Sequence, residues 1–341
     1  MIAAVSSNGT RVGITGIGAY VPDRVLTNAD LEEMVATSDE WIVERTGIRE
    51  RRIAEPSEAA SDLALPAARD ALEQAQIRGE DLDYIVVATA TPDMLFPATS
   101  CVVADALGAE RAAAYDLLAG CSGFLYALAQ AYGAVSSGLA ERTLVVGSEV
   151  LSKITNWKDR GTCILFGDGA GAAVVERVDE GGFEGFELGA DGSRGPDLCV
   201  PAGGSRLPST TENLEREAQF IHMNGREVFR FATRVMVSSA QELLDASGLT
   251  LDDVDLYVPH QANQRIIDHA AKEMGLARDK IVLNIDRYGN TSSASIPLAL
   301  VEAERDGRLA DGDTVLMSAV GAGFTWGSAL LTWSNGGSRS R

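Results

Sequence analysis

The chain is short of positive charge. Its 341 residues carry 29 Lys and Arg against 49 Asp and Glu, a formal net charge of −20. A surface of that sign repels phosphate backbones, so a general nucleic-acid binder is excluded, although a local basic patch is allowed. Histidine is scarce at three residues, and the only cysteines are Cys101, Cys121, Cys163 and Cys199. None of these forms a CxxC pair and no histidine clusters with them, which argues against a zinc or other metal site. Free thiols suit a reducing compartment, and no basic segment leading into an apolar stretch opens the chain as an export signal would. A cytoplasmic protein is expected. Long apolar runs are lacking too. Segment 117–140 is uncharged, but its four Gly, three Ser and one Gln mark a helix buried in protein, not a membrane span.

What is present is an ordinary globular balance, 45% hydrophobic and 23% charged, long enough for one large domain or two. The 35 glycines imply many tight turns or close backbone approaches. Apolar strand-like runs at 12–17, 84–89, 143–147, 163–166, 256–259 and 314–320 alternate with helical patterns at 61–74, 122–136, 226–246, 264–274 and 293–304. Alternation of this kind predicts an α/β protein. The tail beyond Trp333, rich in Ser, Gly and Arg, is expected to fray.

The chain also repeats itself. The run Leu72-Glu73 through Glu80-Asp81-Leu82-Asp83-Tyr84-Ile85 resembles Leu244-Asp245 through Asp252-Asp253-Val254-Asp255-Leu256-Tyr257, 172 residues on. Further along, Gly120-Cys121-Ser122 aligns with Gly289-Asn290-Thr291 at an offset of 169. Two segments in the same order predict a duplicated fold with halves 1–178 and 179–341, packed as one body because no linker divides them. On this alignment Cys121 and Asn290 occupy equivalent places before helices. His260 follows a strand, and strand C-termini are where α/β sheets bind ligands.

Cys121 lies between Gly120 and Gly123 at a helix start, where unpaired N–H groups favour a thiolate. It is the candidate nucleophile. The other three cysteines are expected to be buried and inert. His260, in Pro259-His260-Gln261-Ala262-Asn263, is the candidate acid/base or donor, because His222 and His269 sit in unremarkable helical surroundings. Asn alone before a helix is an ordinary cap; the proposed repeat partnership with Cys121 makes Asn290 a candidate. Papain-like proteases use the same three residue types, but nothing else here matches them. Neither Gly167-Asp168-Gly169-Ala170-Gly171 nor Gly16 and Gly18 completes a dinucleotide motif, so both read as turns or close contacts.

Several motifs in order carry a resemblance. They are Ser38-Asp39-Glu40-Trp41-Ile42 with Arg45-Thr46-Gly47-Ile48, Ala119-Gly120-Cys121-Ser122-Gly123-Phe124, Phe166-Gly167-Asp168-Gly169-Ala170-Gly171-Ala172, Pro259-His260-Gln261-Ala262-Asn263, Gly289-Asn290-Thr291-Ser292 and Gly321-Ala322-Gly323-Phe324-Thr325-Trp326-Gly327. From about Val12 to Trp333 the chain resembles the beta-ketoacyl-acyl carrier protein synthase III family, the condensing enzymes that start bacterial fatty-acid synthesis. The resemblance implies a thiolase-like fold, two similar halves in five layers α-β-α-β-α, acting as a homodimer without metal or cofactor. It implies a decarboxylating Claisen condensation of an acyl-CoA with malonyl-acyl carrier protein. Cys121 would take the acyl group and His260 and Asn290 would bind the malonyl thioester carbonyl. The backbone N–H groups of Cys121 and Ala322 would form a second oxyanion hole. A related ketosynthase or acyltransferase of specialised metabolism is the alternative, and a non-catalytic binding module is disfavoured by the intact trio.

The resemblance also implies a coenzyme A site. Trp41 and Arg45, four apart on a helix capped by Ser38, share one face, and Arg160 would stand opposite, so that an adenine could be held between them. Asn263 would help hold pantetheine. Arg230, Arg265 and Lys272 are the expected patch for an acidic carrier protein. Phe96 matches a position that closes the partner's acyl pocket across the dimer, and a ring there favours a short starter such as acetyl. The basic run Arg49, Arg51, Arg52 is expected to be a solvated edge.

Overall fold

A computed structural model of the chain describes residues 2–4 and 10–334; the tail expected to fray lies, from residue 335 on, outside them. Ten strands matter for the architecture: β1 (Ile2–Ala4), β2 (Arg11–Tyr20), β3 (Tyr84–Ala88), β4 (Ala113–Leu117), β5 (Arg142–Glu149), β6 (Gly169–Val178), β7 (Gly182–Ala190), β8 (Leu256–Pro259), β9 (Thr314–Gly321) and β10 (Thr325–Thr332). The helices packed on them are α1 (Asp39–Thr46), α2 (Ala60–Gln74), α3 (Thr99–Ala106), α4 (Gly123–Ser136), α5 (Gly225–Ser247), α6 (Gln264–Met274) and α7 (Ser295–Arg305).

Among the described residues the strands form two five-stranded sheets, ordered β2-β6-β5-β3-β4 and β1-β7-β10-β9-β8. In the first, β4, β3 and β5 run parallel while β6 and β2 are antiparallel additions. The second repeats the scheme, with β8 and β9 parallel and β10 and β7 antiparallel. The place that β4 fills in the first sheet is marked in the second by one parallel bridge, Tyr257 to Ile281. Tyr84 pairs with Thr143 and Leu256 with Val315, so both members of the pair are displaced by the same 172 residues.

Side chains on successive residues of a strand face opposite ways, and the central strands are apolar on both faces. Val86 and Val145 point into the cluster between the sheets, where α4 and α7 lie. Ile85, Val87, Leu144 and Val146 point the other way, onto α2 and α3. Tyr257, Leu316 and Leu330 meet α5 and α6 on the far side of the second sheet. The result is five layers, helix-sheet-helix-sheet-helix. Helix ends follow local chemistry: Ser38 caps α1, Asn263 caps α6, and left-handed Gly248 and Gly275 close α5 and α6.

The apolar run at 163–166 departs from its expected strand. Arg160–Cys163 is a short helix capped by Asp159, and Phe166 makes only one isolated bridge, to Asn290. An Asx cap at Asp159 overrides β propensity there. Arg51, expected on a solvated edge, is fully buried. Its guanidinium donates to the Leu26 and Ile164 carbonyls and to Asn28 Oδ1, and burial pulls its pKa down to about 10. Cys163 is buried as expected, but Cys101 is exposed and Cys199 half-buried. The glycine run 167–171 serves close packing: a Cβ on Gly171 would sit 2.6 Å from Pro297 Cβ at the start of α7.

Candidate active site

The ends of four parallel-sheet strands, β3, β5, β8 and β9, converge between the two halves. Cys121 sits in the 3-10 turn Gly120–Ser122 that enters α4. Its counterpart is the turn Ser292–Ala294 that enters α7, and the two turns pack against each other. Both begin left-handed, Gly120 at φ +53° and Ser292 at φ +49°. Structural equivalence therefore keeps the offset of 172, and the counterpart of Cys121 is Ser293. The expected equivalence of Cys121 with Asn290 is corrected: Asn290 lies three residues earlier, in the segment leading into the turn.

Asn290 is nonetheless brought to the same place. Its N–H donates to the Leu165 carbonyl at 2.8 Å and its own carbonyl accepts from Gly167 N–H at 3.1 Å. The side-chain Oδ1 accepts the Ser292 N–H at 2.8 Å, which fixes the amide plane and leaves Nδ2 as the free donor. His260 follows β8, with its N–H on the Ser318 carbonyl at 2.8 Å and only 1% of its surface exposed. The Ser295 hydroxyl lies 2.6 Å from His260 Nδ1 and accepts the Gln261 N–H at 3.4 Å. With the Ser295 proton given to Nδ1, the ring carries its own proton on Nε2. Burial pulls the His260 pKa down to about 3, so the ring is a neutral donor at ordinary pH.

The nucleophile turn is stitched to the β9–β10 turn. Thr325 Oγ1 donates to the Ala119 carbonyl at 2.7 Å, and Ser122 Oγ donates to Thr325 Oγ1 at 2.6 Å. Gly321 is obligatory at this contact, because a Cβ there would lie 2.6 Å from Cys121 N and 2.8 Å from the Ala119 carbonyl oxygen. A Cβ on Gly120 would likewise lie 2.7 Å from Ala322 N, so the amides of Cys121 and Ala322 are close neighbours. Burial opposes the thiolate that the helix start favours. Burial pushes the Cys121 thiol up to about 12, the Glu149 charge adds to this, and a Ser292 hydrogen bond only partly offsets it.

Trp41 lies on α1 with the Arg45 guanidinium 4.8 Å and the Arg160 guanidinium 4.7 Å from its ring centre. The three predicted residues are therefore together, with Arg160 also donating to the Ala36 carbonyl at 3.0 Å. Asn263 is committed locally: Oδ1 accepts Arg265 N–H at 2.9 Å and Nδ2 donates to the Arg45 carbonyl at 3.0 Å, tying α6 to α1. Arg230, Arg265 and Lys272 are exposed on the packed pair α5 and α6. Arg265 stands 5.8 Å over the Phe229 ring, while Arg230 pairs with Glu227 at 3.0 Å, a carboxylate it shares with Arg194. Phe96 is 83% exposed. Ser295, the partner of His260 Nδ1, stands apart from the sequence expectations, where it looks like an ordinary helix-start polar residue. Among the described residues no group of three or more His, Cys, Asp or Glu could hold a metal, and no helix is long and apolar enough to cross a membrane.

The two-sheet, five-layer body, with its cysteine turn packed on the equivalent turn of the other half, is the thiolase-like fold of the acyltransferase-type condensing enzymes. Comparison with known proteins narrows this. Residues 115–192 match the model of the 3-oxoacyl-[acyl-carrier-protein (ACP)] synthase III family, and residues 244–333 match that of its C-terminal region. The chain is 56% identical over 323 residues to the beta-ketoacyl-[acyl-carrier-protein] synthase III of Caldanaerobacter subterraneus subsp. tengcongensis, covering 94% of this chain and 98% of that one. It is 55% identical to a protein of the same name from Desulfitobacterium hafniense strain Y51, covering 96% and 99%. A solved beta-ketoacyl-[acyl carrier protein] synthase III from Thermus thermophilus superimposes with a TM-score of 0.88 at 52% identity, covering 95% and 99%. The chain belongs to the beta-ketoacyl-[acyl-carrier-protein] synthase III family.

Proposed function

We propose that this enzyme condenses a short acyl-CoA, acetyl-CoA by preference, with malonyl-acyl carrier protein to give a 3-oxoacyl-carrier product, CO2 and free coenzyme A. What supports this is that the turn holding Cys121 packs against the turn entered from Asn290, which leads to Ser295, the partner of His260. Cys121 Sγ attacks the acyl thioester carbonyl, and the developing oxyanion is met by the N–H groups of Cys121 and Ala322. Coenzyme A leaves and the malonyl group enters. His260 Nε2–H and Asn290 Nδ2–H then donate to its thioester carbonyl. Loss of CO2 places negative charge on that oxygen as an enolate, which two preorganised donors in a dry site stabilise. The enolate carbon attacks the acyl-Cys121 carbonyl, and Cys121 departs. No cofactor or metal is needed for these steps.

In this proposal the two halves are 1–178 and 179–341. Trp41, Arg45 and Arg160 take the adenine of coenzyme A, Asn263 braces the pantetheine entrance, and Arg230, Arg265 and Lys272 meet the carrier. The β4 edge supports a homodimer. Its backbone is open on one side, and exposed Tyr115, Leu118 and Leu139 surround it. Phe96, exposed beside Leu95, is suited to reach a partner's acyl pocket. Four free cysteines fit a cytoplasmic setting. The test is the intact mass after incubation with acetyl-CoA, followed by addition of malonyl carrier. An acetyl adduct in the wild type, absent in Cys121→Ala and discharged as 3-oxoacyl product, is expected. A wild-type chain that takes up no acyl group would overturn the proposal.

A further inference from the structure

The acyl transfer proposed above uses two backbone amides, and each half of the chain supplies one. Ala322 lies in the short link, residues 322–324, between the antiparallel neighbours β9 and β10. In the first half the corresponding strands β5 and β6 are joined by the long stretch 150–168. One side of the short link is held to the residue after β7 by a backbone pair. Asp191 N–H donates to the Phe324 carbonyl at 2.7 Å, and Phe324 N–H donates to the Asp191 carbonyl at 2.9 Å. The other side meets the Cys121 turn without main-chain bonding: among the described residues no backbone hydrogen bond joins 119–122 to 321–325. The turns touch through glycine. A Cβ on Gly120 would lie 2.7 Å from Ala322 N, and one on Gly321 would lie 2.6 Å from Cys121 N. Bare glycines permit that approach but offer no side chain to stop one turn sliding over the other.

The Thr325 hydroxyl supplies the missing lock. Its oxygen donates to the Ala119 carbonyl at 2.7 Å and receives the Ser122 hydroxyl at 2.6 Å. It also lies 3.2 Å from the Ala322 carbonyl oxygen. One side-chain oxygen therefore contacts the residues on both sides of Gly120-Cys121 and the residue that carries the other amide. Ser122 is fully buried, and its oxygen lies 2.9 Å from the Ala119 carbonyl, so the three groups close a ring. A β-branched side chain has few χ1 choices, and the Thr325 methyl is packed against Gly323, where a Cβ would stand 3.0 Å from it. The hydroxyl is thus aimed by its own covalent geometry. Asn290 and His260 are held elsewhere, by Leu165, Gly167 and Ser292 and by Ser318 and Ser295 respectively.

We propose that Thr325 is a positioning residue for acyl transfer, its hydroxyl setting the spacing of the Cys121 and Ala322 amides that receive the oxyanion. This deepens the reading of the site given above and rests on it. An oxyanion is stabilised only if both donors lie about 2.7–3.1 Å from one point, and a shift of about 1 Å at such a site costs about 100-fold in rate. The decarboxylation donors do not depend on the same hydroxyl, so the two partial reactions should separate.

The test compares wild type with Thr325→Val, which keeps the branched shape without the hydroxyl, and Thr325→Ser, which keeps the hydroxyl. Three quantities are read: single-turnover acetylation by acetyl-CoA across its concentration range, decarboxylation of malonyl carrier, and alkylation of Cys121 by iodoacetamide, which needs the sulfur but develops no oxyanion. In Thr325→Val the maximal acetylation rate is expected to fall about tenfold or more, with the half-saturating acetyl-CoA concentration, decarboxylation and alkylation each within about twofold of wild type. Thr325→Ser is expected to recover most of the loss. Acetylation of Thr325→Val at the wild-type rate, or Thr325→Ser no better than Thr325→Val, would overturn the proposal. So would alkylation falling in step, which would make the hydroxyl an aid to the sulfur, or decarboxylation falling in step, which would make it a general brace. If Thr325→Val does not fold, Ser122→Ala decides: removing this one contact is expected to slow acetylation about two- to tenfold, and no loss counts against the lock. A wild type alkylated at Cys121 but never acetylated would instead remove the acyl-transfer reading, and the role of Thr325 with it.

Discussion

Ser295→Ala isolates what holds the histidine. The hydroxyl lies 2.6 Å from His260 Nδ1, in a place where both residues are buried to 1% exposure. Deleting it leaves a buried ring nitrogen without a partner, a loss of about 1–3 kcal/mol. It also frees the proton to move to Nδ1, which turns Nε2 from donor into acceptor where a donor is required. If that energy falls on the enolate, decarboxylation of malonyl carrier drops about 5- to 150-fold, at 1.36 kcal/mol per tenfold in rate. Acetylation of Cys121 does not use the His260 donor, so it stays within about twofold by the same arithmetic. The assay follows CO2 release and the acetyl adduct separately on the same preparation, with Ser295→Thr as the variant that keeps the hydroxyl. An equal fall in both partial reactions would refute the tautomer argument, as would failure of Ser295→Thr to restore decarboxylation in a folded protein.

Gly321→Ala forces a methyl to 2.6 Å from Cys121 N; backbone must shift at a cost of about 1–3 kcal/mol, and acetylation falls more than decarboxylation in the same paired assay. His260 holds a pKa near 3 against 6.5 for the free ring, so the unfolded chain binds the extra proton as pH falls. Stability is therefore full above about pH 6.5 and declines from there toward pH 3, and urea midpoints of wild type should drop more steeply over that window than those of His260→Gln. Trp41→Ala removes stacking and cation–π contact of about 1–2 kcal/mol and raises KM for acetyl-CoA while leaving that for malonyl carrier nearly unchanged. Arg265→Glu does the reverse, with an effect that shrinks as salt rises, measured by steady-state kinetics. On the proposed homodimer, Leu118→Glu places a charge beside the open β4 edge, and the expected outcome in sedimentation is a shift from dimer to monomer.

The sequence by itself determined the layer class, because apolar period and turn residues are local. The strands at 84–89, 143–147, 256–259 and 314–320 appear within about two residues of their predicted ends. It also singled out Cys121, His260 and Asn290, whose surroundings in the chain are unusual for their residue types. Only the tertiary structure decided how the repeat superimposes. A match of residue letters set Cys121 against Asn290, whereas sheet register and the paired left-handed residues Gly120 and Ser292 set it against Ser293. Gly-rich β6 and β7 went unrecognised, since small residues carry little β signal until helices are seen pressed against them. Ionisation lay furthest from the letters. A helix start promised a thiolate, and an exposed basic edge was expected at Arg51. Arg51 is buried instead, and burial opposes the thiolate, because desolvation is set by what the rest of the chain packs around a group, and no local pattern of residues records it.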